Sequence, residues 1–155
     1  MRKVMFFLVV LLATGLVAGC GGGGGGSSIL TVRSSDNKVN VTALPGSFGA
    51  STMVLTPEQA SDFVPALATT PGTGAFVAAA KFTGDASAFV HPATIKWTLS
   101  SALPAGTVVE LFKAVRQNDG QDHLTDTGTS ATITSDGLSV GATITECANY
   151  VLLKQ

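Results

Sequence analysis

From Ala93 to Leu99 the chain alternates without a slip, with Ala93, Ile95, Trp97 and Leu99 on one side and Thr94, Lys96 and Thr98 on the other. Successive side chains of an extended strand point to opposite faces, so this pattern gives a dry face and a wet face to a strand and does not suit a 3.6-residue helical period. Thr107 to Val115 reads as a second, β-branched-rich strand. Further on, Ala131 and Ile133 alternate with Thr132 and Thr134, Asp136-Gly137 comes next, and Leu138, Val140, Ala142 and Ile144 alternate with Ser139, Gly141, Thr143 and Thr145. An Asp-Gly pair between alternating runs predicts a hairpin, because Gly adopts positive φ at no steric cost.

The first half supports the same architecture. Phe76, Ala78, Ala80 and Phe82 alternate, and Ser34 to Lys38 is expected to turn a hairpin between Ile29 to Arg33 and Val39 to Leu44. Tyr150 to Leu153 is expected to close the sheet. One short helix is expected to start at Thr56-Pro57-Glu58-Gln59, which offers an N-cap residue, a proline at the first helical position and a Gln three residues after the cap. Pro65 and Pro71-Gly72 punctuate the chain beyond it, Thr69 to Gly74 reads as a loop, and no internal repeat stands out. The spacing of strands and turns predicts an all-β, antiparallel β-sandwich with one short helix.

The N-terminus carries an address. Basic Arg2 and Lys3 precede an uncharged apolar stretch from Val4 to Leu16, and small residues lead into Cys20, after which glycines run from Gly21 to Gly26. A membrane-spanning helix needs roughly 20 apolar residues, and this run is shorter and broken by Thr14 and Gly15, so it reads as a secretion signal. The segment Leu16-Val17-Ala18-Gly19-Cys20 resembles the lipobox of bacterial lipoproteins. That resemblance implies diacylglyceryl transfer to the Cys20 sulfur, cleavage before Cys20, and a membrane partner engaged through a lipid anchor without crossing. Gly21 stands where an enterobacterial inner-membrane retention signal would place Asp, so the resemblance implies the outer membrane. The expected organisation is therefore a signal peptide at 1–19, lipidated Cys20 with a Gly/Ser tether at 20–28, and a sandwich domain at 29–155. Scaled as a random coil, Gly21 to Ser28 reaches about 15 Å.

Phe89-Val90-His91-Pro92, Trp97, Leu103-Pro104-Ala105-Gly106-Thr107, Asp136-Gly137 and Asn149-Tyr150-Val151 together resemble a widespread Ig-like β-sandwich module. Such modules occur in bacterial lipoproteins and surface proteins and are distantly similar to the sandwich domains of ankyrins and netrin receptors. The resemblance covers about half the chain, implies an Ig-like sandwich and brings no catalytic residues with it.

Chemistry-bearing residues are sparse. A formal charge of −1 with no Lys/Arg cluster excludes nucleic acid as a partner. His91 precedes Pro92 at the start of a strand and is expected to pack locally, and no Gly-x-Ser-x-Gly motif is present. Asn118, Asp119, Asp122, His123 and Asp126 surround Gly120, and Asp119, Asp122 and Asp126 are the candidate ligands for a hard cation. Their spacing misses the EF-hand pattern and its terminal Glu, so turn chemistry on a solvated loop is the preferred expectation, with no metal and no cofactor. Trp97, Phe112 and Tyr150 are expected in the core. Once Cys20 is lipidated, Cys147 is an odd thiol, expected to be buried on a core strand and free of any intramolecular disulfide.

These observations favour a non-enzymatic, lipid-anchored envelope protein acting as a structural or protein-interaction module, with an envelope or surface protein as partner. The alternatives are a small-ligand or carbohydrate-binding lipoprotein, recognisable by a concave pocket with convergent polar groups, and a hydrolase with an unfamiliar site.

Overall fold

The computed structural model describes residues 28–48, 52–63, 66–67, 74–84 and 88–154. Two antiparallel sheets face each other as a β-sandwich. The four-stranded sheet contains β1 (Leu30–Arg33), β2 (Val39–Ala43), β5 (Ala93–Thr98) and β8 (Ser139–Ile144), in the order β1-β2-β5-β8. The five-stranded sheet contains β3 (Val54–Glu58), β4 (Phe76–Thr83), β9 (Asn149–Lys154), β6 (Val108–Arg116) and β7 (Asp122–Thr132), in the order β3-β4-β9-β6-β7.

The alternating runs do what their period requires. In β5 burial strictly alternates, Ala93, Ile95 and Trp97 facing inward and Thr94, Lys96 and Thr98 facing water. β2 buries Val39, Val41 and Ala43, and β8 buries Val140, Ala142 and Ile144, so the inner face of this sheet is dry. Opposite them lie Leu55, Ala80, Phe82, Val109, Leu111, Tyr150 and Leu152. Phe48, Phe82 and Phe89 form a ring cluster with centroids 4.9 to 5.9 Å apart, within the range where edge and tilted contacts are favourable.

β9 is buried on both faces, with Tyr150 and Leu152 toward the other sheet and Val151 and Leu153 beneath a second, smaller cluster. Phe63 and Ala66 build that cluster by packing across the outer face of the five-stranded sheet against Ala79, Leu124, Val151 and Leu153. Rather than closing the sheet, Tyr150 to Leu153 therefore form its middle, between β4 and β6.

Two further expectations are corrected. Thr56-Pro57-Glu58 is extended in β3, not helical, with Pro57 opposite Ala80. Proline lacks an N–H but fits an edge strand, and β3 is an edge. The helical turn comes later, as a 3-10 turn at Ala60–Phe63, where Asp62 accepts the Gln59 N–H at 2.7 Å and donates its own N–H to the Gln59 carbonyl at 3.1 Å. The second correction concerns Asp136-Gly137. The turn forms, but β7 pairs with β6 and β8 with β5, so it carries the chain from one sheet to the other instead of joining a two-stranded hairpin. Leu138 is accordingly exposed and Ser139 buried.

The sandwich has two distinct ends. β1 starts at Leu30, opposite Ala43 at the end of β2, while β2 starts at Val39, opposite Trp97 near the end of β5. Chain entry at Ser28 and the Trp97 end thus lie at opposite ends of the four-stranded sheet.

Candidate functional site

At the Trp97 end of the sandwich lies a cavity of about 400 Å³. It is lined by the start of β2, the ends of β3, β5 and β9, and the start of β4, so strand termini from both sheets build its walls. Trp97 is 1% exposed, held by the inward face of β5. Its indole Nε1 is buried and has no hydrogen-bond partner. Glu58, the last residue of β3, has Oε2 buried and likewise unpartnered. Burial pushes the Glu58 carboxyl above its ordinary value, against the opposing pull of Lys81. A buried polar atom without a partner costs about 1–3 kcal/mol, and these two lie apart. Trp97 faces the space between the sheets, whereas Glu58, opposite Ala79 of the outer cluster and subject to the charges of Lys81, Asp62 and Asp122, faces the outer side of the five-stranded sheet.

The rest of the lining is mixed. Val77 and Leu99 supply apolar surface, while Asp36, Lys38 and Lys154 bring charge of both signs and Phe76 turns to the outer cluster. Lys38 Nζ donates to Ser100 Oγ at 3.1 Å, fixing it on the rim. Asp36 belongs to the β1–β2 turn, where it accepts the Ser34 hydroxyl at 2.6 Å and the Lys38 N–H at 3.0 Å. These bonds, the hydroxyl first, hold its carboxyl below the ordinary range. The cavity therefore has a mixed lining, with apolar side chains beside charged residues of the β1–β2 turn and the strand ends.

The acidic loop is a solvated hairpin between β6 and β7. Asp119 Oδ1 accepts the Gln121 N–H at 2.8 Å, and its Oδ2 meets His123 Nε2 at 2.8 Å. The backbone bond from Gln121 and then His123 lower the Asp119 carboxyl. Asp122 turns to Arg116 at 3.5 Å, and Asp126 accepts the Gly128 N–H at 2.8 Å at a β-bulge. The three carboxylates thus engage separate partners, and among the described residues no group of three or more His, Cys, Asp or Glu side chains is placed to hold a metal ion. His91 is exposed in the bend before β5.

Tyr150 is buried, with its hydroxyl donating to the Glu146 carbonyl at 2.8 Å, and burial raises its pKa. Phe112 is half-buried against the smaller cluster. Cys147 lies in the loop between β8 and β9, not on a core strand. It is half-buried as a free thiol, Sγ 3.6 Å from Met53 Sδ, and burial pushes its pKa up. Cys20 falls outside the described residues, and no helix among those described is long and apolar enough to cross a membrane.

Lys38, Val77 and Lys154 could not be picked out as site residues from the sequence, since they lie far apart in the chain and meet only through strand pairing. Set against known proteins, the chain matches no family and no curated sequence.

Proposed function

We propose that this chain is an exported lipoprotein, anchored through Cys20 to the outer membrane, whose β-sandwich acts as a non-catalytic interaction module. The carrying observation is the opposition of the two ends. The chain enters at Ser28, and the cavity around Trp97 opens at the far end of the four-stranded sheet. An anchor at Cys20 would turn the entry end toward lipid and leave the cavity facing outward. Ile29, Leu44, Val54 and Val90 are exposed at or beside strand termini on the entry side, where an apolar surface costs least beside a membrane.

Binding by a small ligand is a second reading, favoured by the mixed lining of the cavity. Metabolic labelling with a palmitate analogue, followed by membrane fractionation, tests the anchor. Wild-type protein is expected to label and to sediment with outer membranes, and Cys20→Ala to lose both properties. A Cys20→Ala variant that still labels and sediments overturns the proposal.

A further inference from the structure

We infer that β8 is an interaction edge through which a second copy of this chain adds, β8 against β8 and antiparallel, joining two four-stranded sheets edge to edge. The inference concerns the sandwich alone and does not depend on the anchor.

An edge strand presents a row of unpaired N–H and C=O groups, and three of the four edges here carry a feature that blunts them. β1 is four residues long and ends on Arg33, β3 contains Pro57 and Glu58, and β7 carries Asp122, Asp126 and a bulge. β8 has none of these. From Gly137 to Thr145 the chain holds neither charge nor proline, and β8 pairs with β5 along its whole length without a shift of register.

The phase of the hydrogen bonds says which groups are open. Leu99 N–H donates to the Leu138 carbonyl, so those two residues form a hydrogen-bonded pair. Antiparallel pairs alternate. Val140, Ala142 and Ile144 therefore bond β5, while Ser139, Gly141 and Thr143 turn their backbone groups to the open edge. Ser139 is already satisfied, its N–H by Thr134 Oγ1 at 3.2 Å and its carbonyl by the Thr134 N–H at 2.9 Å. Just past the strand, the Thr145 carbonyl accepts the Phe89 N–H at 2.8 Å. That leaves Gly141 and Thr143, both exposed, with two donors and two acceptors between them.

These four groups complement themselves. A two-fold axis through Ala142 sets Gly141 opposite Thr143 of the second copy, and each such pair exchanges both of its bonds. The two symmetry-related pairs use every outward group of both residues. An axis through Gly141 instead would set Thr143 against Ser139, whose groups are taken. The Ala142 register also keeps burial in phase, with Val140 opposite Ile144 and Ala142 opposite itself on the inner face. A charged partner strand would find no counter-charge on β8, whereas two copies of β8 bring no charge to each other.

The test uses full-length, isotope-labelled protein in detergent with a reductant present, so that no disulfide links two chains. Sedimentation from about 10 μM to about 1 mM covers the modest affinity that a contact of this size gives. A reversible dimer is expected, with the Gly141 and Thr143 amides exchanging with deuterium about tenfold or more slowly than in the dilute monomer. Thr31, whose N–H points off the β1 edge by the same alternation, should not change. Thr143→Pro removes one outward donor without touching the β5 ladder, since proline is tolerated where an edge N–H faces water. It should weaken association about tenfold or more while the indole resonance of Trp97, the only tryptophan, stays at its folded position. If no dimer forms by about 1 mM, the inference is overturned. A dimer in which Gly141 and Thr143 exchange as fast as in the monomer overturns it too, as does a folded Thr143→Pro that associates as tightly as wild type. Should that variant not fold, the exchange measurement decides alone. Protection that appears only when another protein is added would replace self-pairing with strand addition by that protein, and the Cys20→Ala fractionation reports on the anchor alone.

Discussion

Asp36 and Asp136 hold the same place in two turns that clasp the end of β5. Asp36 Oδ1 accepts the hydroxyl of Ser34 and the N–H of Lys38, and Asp136 Oδ1 accepts the hydroxyl of Thr134 and the N–H of Leu138. Each turn places its next residue at positive φ, 58° at Asn37 and 72° at Gly137. Each also gives β5 a hydrogen bond beyond its last pairing, from Thr98 N–H to the Lys38 carbonyl and from Leu99 N–H to the Leu138 carbonyl. The two turns are therefore one local design used on both flanks of the central strand that carries Trp97.

Acid should loosen this clasp. Hydroxyl and backbone donors hold both carboxyls below their ordinary value of 3.8. The folded chain then binds fewer protons than the unfolded chain, so stability is complete above the unfolded value and falls as pH drops through the folded one. Urea midpoints measured from about pH 6 to about pH 2 should decline less steeply for Asp36→Asn with Asp136→Asn than for wild type. An unchanged slope would refute the assignment.

Gly137 and Gly120 separate backbone strain from collision. Both have positive φ, but a Cβ on Gly120 meets open space, whereas one on Gly137 would lie 2.5 Å from the Leu103 carbonyl oxygen. Gly120→Ala should lose about 1 kcal/mol from the left-handed conformation alone. Gly137→Ala should lose clearly more, and denaturant unfolding of the pair measures the difference.

Phe82 is fully buried and touches both Phe48 and Phe89. Truncation to alanine removes a ring from the centre of that cluster, and Phe82→Ala should lose about 3–5 kcal/mol. A loss under about 1 kcal/mol by chemical denaturation would mean that the cluster collapses around the gap.

Calcium should leave the melting temperature unchanged, because Asp119, Asp122 and Asp126 are committed to different partners. A ligand specific to the folded state must raise that temperature by mass action. A rise that a chelator reverses and that Asp119→Ala with Asp122→Ala abolishes would show a cation site at the hairpin.

Cys147 should react slowly with a disulfide reagent near pH 8. Its thiol is packed against Met53, and burial first, with Glu146 second, keeps it protonated beyond its ordinary range. Modification should accelerate many-fold in urea. A native rate equal to the unfolded one would contradict the packing.

Strand positions are legible in the sequence wherever burial is one-sided. β5 and the inner face of β8 follow from alternation alone, and the β1–β2 turn follows from Ser34 to Lys38. β3 is not legible, because Thr56-Pro57-Glu58-Gln59 satisfies the local rules for a helix start and only its edge position, a tertiary fact, makes the proline acceptable in a strand. The twin turns are hidden because Ser34 and Thr134, or Asn37 and Gly137, do the same job with different side chains. The cavity has no linear trace, since Lys38, Val77, Trp97 and Lys154 share it only after two sheets have formed. Trp97 is expected in the core and lies there, but its unpartnered nitrogen emerges only from the packing.

The central place of β9 has a consequence for how the chain comes to be folded. Its neighbours β4 and β6 are translated well before it, yet neither can complete the five-stranded sheet without it. Until β9 arrives, β3-β4 and β6-β7 are two separate ribbons, and two-stranded ribbons are marginal in water. A growing chain would thus hold two loose ribbons until β9 is in place to join them, and only then could the five-stranded sheet lock.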